Sequence, residues 1–402
     1  MLNGIDDIDW SRLSHAYGPA DDVPDQIRAL ASADPETRAR ARYELYGNIF
    51  HQGSRYEASA YAVPFLLELL ADPTTPEPTE LLALLVSIAI GYDENWLPDG
   101  LPVAEWRRAA AGGEALLAAA PRPGDDDFDE DEGDYAYLES LSEDDQHRLD
   151  AHVALVAWEA VRAGVPLLRD LLTRPEPPLR ACAAYALAWF PEDAAGTLPV
   201  LAALRHDEYP PIAATALVTA GLLGEAPDAG LLADPRPEVR WGAAVGRARV
   251  LGRDADEGTV QELLAWAGRR SGRATGVPFL DGDLAGLAAL ALRQLGPDRA
   301  GQGFEALLRR IPTASGEEAL PVVAEALRLA FPEGPLPAGT PAAALTEPQR
   351  RLAATLAGSP DTWLINGRSF GNLRMLVHGY GLPDEAGQLR TYLDGAPAVA
   401  ER

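Results

Sequence analysis

The chain has no lysine, one cysteine and two methionines in 402 residues. All 34 basic residues are arginine, set against 61 carboxylates, so the formal net charge is -27. Each shortage excludes something. Without lysine there is no Schiff-base amine, no pyridoxal-phosphate anchor, no phosphate-loop lysine and no kinase-type lysine. A lone Cys182 forms no internal disulfide and no Cys-x-x-Cys site, and in its alanine-rich run it reads as a buried small hydrophobe. The acid excess argues against broad nucleic-acid binding, which needs a basic footprint to displace counterions. Long hydrophobic runs are missing too. Leu81 to Ile90 is well short of the roughly 20 residues that span a bilayer. The opening stretch carries Asp6, Asp7 and Asp9, the reverse of a positively charged signal-peptide start. A soluble, cytoplasmic protein with no membrane association is expected. Lysine loss with heavy Ala, Gly, Arg and Pro use fits a GC-rich bacterial genome.

What is present is helical and repetitive. Val165-Pro166-Leu167-Leu168 leads through Leu171-Leu172 and a Pro-rich turn to Leu179-Arg180 and the run Ala181 to Phe190. Leu198 to Leu204 leads through Pro210-Pro211 to Ile212 to Leu223. Leu231-Leu232-Ala233-Asp234-Pro235 leads through Pro237 to Val239-Arg240 and Trp241 to Leu251. A first helix carries an apolar stripe at helical period. Proline lacks an amide hydrogen, so it suits the first turn of the next helix and not its interior. The second helix is rich in alanine and admits close neighbours. Neither helix buries its stripe alone, so units must stack.

These residues resemble the HEAT repeat family, including its bacterial phycobilisome-lyase-like branch. Leu231 to Arg240 is the best match to the family's apolar helix, Asp-Pro turn and Val-Arg start of the second helix. The clear resemblance covers about residues 151–300. Weaker copies are Asp34-Pro35 onward, Pro64 to Ile90 and Phe304 to Phe331. The resemblance implies an all-α fold, an α-solenoid (superhelix) of stacked antiparallel helix pairs, HEAT-like. No strand of useful length is expected. The expected division is N-terminal repeats over 1–120, an acidic insertion or loop over 121–150, central repeats over 151–335 and a C-terminal helical cap over 336–402. In the cap, Thr346 and Gln349 have capping-box spacing, and their helix is expected to run to about Ala357.

The insertion holds thirteen acids against Arg122 and Arg148. Like charges this dense resist burial, so an exposed loop is expected there. The calcium-loop register fails from Asp127, because Glu132 takes the glycine place and Leu138 the glutamate place. His147 and His152 miss the i, i+4 spacing of two ligands on one helix face. No Gly-x-Ser-x-Gly elbow occurs. No catalytic residue, cofactor or metal is therefore expected.

Two places invite binding. The string from His51 to Tyr56, His51-Gln52-Gly53-Ser54-Arg55-Tyr56, interrupts two apolar helices. It reads as a helix–helix loop with His51 and Tyr56 capping backbone, or as a ligand-contacting loop with His15-Ala16-Tyr17-Gly18 beside it. On the second helices, Tyr185 and Trp189 share a stripe, matched further on by Trp241 with Arg249 and the nearby Arg247. The resemblance implies that second helices line the concave face, where aromatics and arginines make hot spots. The same aromatics also suit packing between repeats. Arg236, Arg240, Arg247, Arg249, Arg253, Arg269, Arg270 and Arg273 form a local basic patch.

The expected function is a noncatalytic protein-binding solenoid, a scaffold or adaptor. In its sharper form it is an immunity-type neutraliser of a basic partner, which the acid excess would steer. The other class is a small-molecule-binding or catalytic HEAT-like protein, such as a bilin-lyase-like or DNA-glycosylase-like enzyme.

Overall fold

A computed structural model describes residues 2–125, 128, 135–269 and 276–395. The fold is all-α, built of helical repeats, with twenty α-helices among the described residues. The chain divides into two compact units. One comprises Met1–Trp96 and Gly100–Ala203, the other Leu97–Asp99 and Leu204–Arg402.

The first unit is organised on one long helix, Glu143–Arg162. Its Ala154, Ala157, Trp158 and Val161 are buried at i, i+3, i+4 and i+7, the spacing of one helical face. Helices Glu57–Ala71, Pro78–Ile90, Val103–Ala109 and Gly113–Ala119 pack around it. A Cβ on Gly113 would lie 2.7 Å from the Arg148 carbonyl, so only glycine permits that approach. The helix begins inside the stretch expected as a loop. Ser142 caps it by accepting the Asp145 amide at 3.2 Å. Glu143, Asp144 and Asp145 fill its first turn, where carboxylates meet the positive end of the helix dipole. Charge density alone predicted an exposed loop over 121–150. A cap and the dipole instead start a helix at Glu143, and a short helix, Tyr135–Ser140, precedes it. Asp126, Asp127, Asp129, Glu130, Asp131, Glu132 and Asp134 lie outside the described residues, so the calcium-loop register does as well.

In the second unit Pro210–Leu222 and Pro237–Leu251 pack along their length. Proline stands in the first turn of both, and likewise of Pro177–Leu187 in the first unit. The segment Leu231 to Ala233, expected as a first helix, is a 3-10 turn, Ala229–Ala233. Helices Glu257–Ala267, Leu284–Ala291, Ala300–Arg310 and Ala319–Ala330 follow. Glu347–Ala357, Gly371–Gly379 and Ala386–Leu393 end the series. Thr346 forms the expected capping box, its amide donating to Gln349 Oε1 at 2.9 Å.

Three two-stranded ribbons occur among the described residues, none of them a strand of useful length. They pair Ser14–His15 with Gly18–Pro19, Phe50–His51 with Ser54–Arg55, and Leu364–Ile365 with Arg368–Ser369. Each strand has two residues, too short for an alternating pattern to register. No single helix among the described residues is long and apolar enough to cross a membrane.

Candidate functional site

The ribbon Phe50–His51/Ser54–Arg55 turns at Gln52 and Gly53, both with positive φ (49° and 91°). That is the backbone a tight two-residue hairpin requires. Helix Glu57–Ala71 starts directly after it. The Tyr56 amide donates to Ser59 Oγ at 2.7 Å, and that hydroxyl donates to the Ile49 carbonyl at 2.6 Å. Tyr56 is thus the helix cap.

The first ribbon lies against this one. The Ala16 amide donates to the Asn48 carbonyl at 3.0 Å. The Tyr17 and His51 rings meet edge to face with centroids 5.4 Å apart, and the Tyr17 hydroxyl is 3.4 Å from His51 Nδ1. Tyr17 is nevertheless 69% exposed. Tyr43, on helix Pro35–Asn48, is 81% exposed and one turn before Gly47, which lies within van der Waals reach of the Tyr17 ring.

On the other flank Tyr92 packs edge to face on Phe50 with centroids 5.7 Å apart. A Cβ on Gly53 would sit 3.0 Å from Tyr92 Cε2. Phe50 and His51 are consecutive strand residues, so their partners Tyr92 and Tyr17 bracket the ribbon from opposite faces.

The polar groups beneath are committed to structure. The Tyr17 amide donates to His15 Nδ1 at 3.0 Å, so Nε2 carries the proton and donates to Asp22 at 3.0 Å. Asp22 also accepts from Gln26 and Asn48 at 2.7 and 2.9 Å. With both ring nitrogens engaged, buried His15 has no lone pair left for base catalysis. Arg55 donates to the Gly53 carbonyl at 2.5 Å and lies 5.7 Å over the Trp106 ring. Burial pushes its guanidinium down to about 10, opposed by the charge of Asp150. No group of three or more metal-type side chains occurs among the described residues.

The other expected site residues lie elsewhere. Trp189 and Trp241 are wholly buried. Trp241 Nε1 donates to the Leu284 carbonyl at 2.8 Å. This corrects the expectation of an aromatic binding stripe, since neither indole presents surface to a partner. Tyr185 is half-buried against Trp189, with centroids 5.6 Å apart. Arg247 is spent on Asp256, on Thr259 Oγ1 at 3.0 Å and on the Pro227 carbonyl at 2.7 Å. Arg249 is half-buried with its Nε shut away from solvent. The second helix Pro210–Leu222 does not line an open face. In Pro210–Leu222 every residue from Ile212 to Gly221 is buried, as suits a helix that is apolar all round.

Four of the six described arginines of the patch are likewise engaged, Arg247 among them, whereas Arg253 is exposed. Arg236 pairs with Asp234 at 2.9 Å, Arg240 with Glu262 at 3.4 Å, and Arg269 lies 3.9 Å over Trp266. Arg270 and Arg273 lie outside the described residues. Buried Cys182 has its thiol pushed up to about 12 by desolvation.

The aromatic bracket is partly legible in the sequence, where the His51 loop and the string holding Tyr17 stand out. Tyr92 and Tyr43 give no such signal, because Tyr92 is remote in sequence and Tyr43 sits in a helical run.

No family model matches this chain, and no curated protein matches it. A crystal structure of an engineered protein is similar at 19% identity over 90% of this chain and 92% of that one. Its TM-score is 0.29, at which the likeness carries no argument.

Proposed function

We propose that this chain is a noncatalytic protein-binding helical-repeat protein of HEAT-like construction, and that its partner is a basic protein. The observation that carries this reading is the fate of the arginines. Arg28 is spent on Asp6 and Asp25, Arg107 on Glu159 and Glu192, and Arg374 on Asp384 and Glu385. Even with every arginine set against one carboxylate, 27 carboxylates remain without internal counter-charge. Such a surface attracts and orients a basic protein and repels nucleic acid. Neutralisation of a basic toxin or nuclease, in the manner of an immunity protein, is the sharper form of this role. The Asp-Pro-Arg-Pro-Glu-Val-Arg start of helix Pro237–Leu251 supports the HEAT-like reading. A lone buried thiol suits a reducing cytoplasm.

The test is capture on the immobilised full chain from lysate of the producing cell, at low and high salt. Recovery of a basic protein that salt releases is the expected result. A chain that retains nothing at low salt, or retains an acidic protein regardless of salt, overturns the reading.

A further inference from the structure

Of the nine large hydrophobic side chains left exposed among the described residues, four are tyrosines between positions 17 and 92. Two of them, Tyr17 and Tyr92, bracket the tip of the second ribbon, and Tyr92 is 45% exposed. Packing does not require this exposure. Tyr17 rests on His15 and His51 and Tyr92 on Phe50 and Gly53, and each keeps part of its ring in water. Tyrosine held this way offers a large rigid face at small entropic cost. A tyrosine face also attracts a guanidinium or ammonium group.

The surrounding charge says which partner suits these faces. Residues 1–96 hold sixteen carboxylates and six arginines. Four of the six are tied to carboxylates: Arg12 to Asp125, Arg28 to Asp6, and Arg38 and Arg42 to Glu77. Arg55 is turned inward over Trp106. Arg40 is exposed three residues before Tyr43 and would oppose a cation there, so the attraction centres on Tyr17 and Tyr92. Asp21 is exposed beside the first ribbon, and the Asp22 side chain keeps 48% of its surface in solvent.

We infer that the ribbon tip, bracketed by Tyr17 and Tyr92, is the docking surface for an arginine- or lysine-rich segment of the basic partner. Cationic side chains lie over the two tyrosine faces, and Asp21 and Asp22 supply the counter-charge. The inference rests on the proposed function and adds to it a place and a mode of recognition.

The experiment uses the full chain and a synthetic arginine-rich peptide, with a neutral peptide of equal length as control. Tyr17→Leu and Tyr92→Leu keep apolar bulk and remove the aromatic face. Tyr17→Phe and Tyr92→Phe keep it. Circular dichroism of every variant checks that the fold is retained. An exposed cation–aromatic contact is worth about two- to fivefold in affinity. Each leucine variant should therefore weaken the arginine peptide by about that factor, the double variant by about the product, and the phenylalanine variants hardly at all. If the peptide binds wild type and both leucine variants equally, docking at the ribbon is overturned while a basic partner elsewhere on the chain stands. If the arginine peptide binds no better than the neutral one even at low salt, both the docking surface and the basic-partner reading fall. A peptide carrying a photoreactive group gives a second readout: crosslinks should fall between residues 17 and 22 and near 92, and crosslinks confined to the second unit overturn the inference.

Discussion

A Cβ placed on Gly246 would sit 2.5 Å from the carbonyl oxygen of Leu217. One turn earlier, a Cβ on Gly242 would sit 2.6 Å from the Ala214 carbonyl. Glycine at i and i+4 of helix Pro237–Leu251 thus lets it lie directly on helix Pro210–Leu222. Two effects compete when Gly246 becomes alanine. Helix propensity gains about 1 kcal/mol, whereas overpacking costs about 1–3 kcal/mol. The obstructing atom is backbone and cannot swing aside, so the cost wins. Gly246→Ala should lower the thermal midpoint. Gly301→Ala, in helix Ala300–Arg310 with open space around it, should leave the midpoint level or raise it.

Arg310 is wholly buried, and its Nη2 donates to both Asp283 oxygens at 2.8 and 3.0 Å. Asp283 also accepts the Gly286 amide at 2.8 Å, capping helix Leu284–Ala291. Removing one member of a buried pair costs about 3–5 kcal/mol, because the other charge is stranded. Asp283→Ala should fall near the lower end, since Glu318 stands 4.0 Å from Arg310 Nη2. In urea denaturation the double variant Asp283→Ala/Arg310→Met should recover part of the loss. A double variant as unstable as the sum of the singles would show that the two residues act independently.

Trp241 serves the core. Trp241→Phe removes the donor to Leu284 and part of the ring volume, and should cost about 1–3 kcal/mol. Its affinity for the arginine-rich peptide, measured where the variant is fully folded, should equal that of wild type.

The carboxyl of Glu77 is held below its ordinary value by hydrogen bonds from Arg38, at 3.0 Å, and Arg42. A depressed folded-state pKa contributes stability that is present above the unfolded value of 4.5 and lost as pH falls through the folded value. The pair is partly exposed, so solvent screens it and its worth at neutral pH is about 1 kcal/mol or less. Glu77→Gln should lower stability by that amount at pH 7 and by less below pH 4.5. Stability measured from pH 7 down to 3 checks this. A difference that grows on acidification would contradict the sign.

Local rules carried the helices. Pro177, Pro210 and Pro237 each stand in a first turn, and Thr346 caps with Gln349, because these preferences act within four residues. The same rules left one place unread and misjudged another. The two-residue strands at 50–51 and 54–55 are too short for periodicity, although Gln52-Gly53 supplies the positive-φ turn. The acids Glu143 to Asp145 looked like loop charge and are a helix start.

By itself, then, the amino-acid order determined that this is an all-α repeat chain. It also determined its acid surplus and the chemistries that lysine and cysteine shortage exclude. Tertiary structure decided exposure. Trp189, Trp241, Tyr17 and Tyr92 are all aromatic, yet the first two are sealed in cores and the last two face water. That difference depends on which distant segments pack against each ring. Leu284 reaches Trp241 across 43 positions and His51 reaches Tyr17 across 34, separations at which local pattern carries no information.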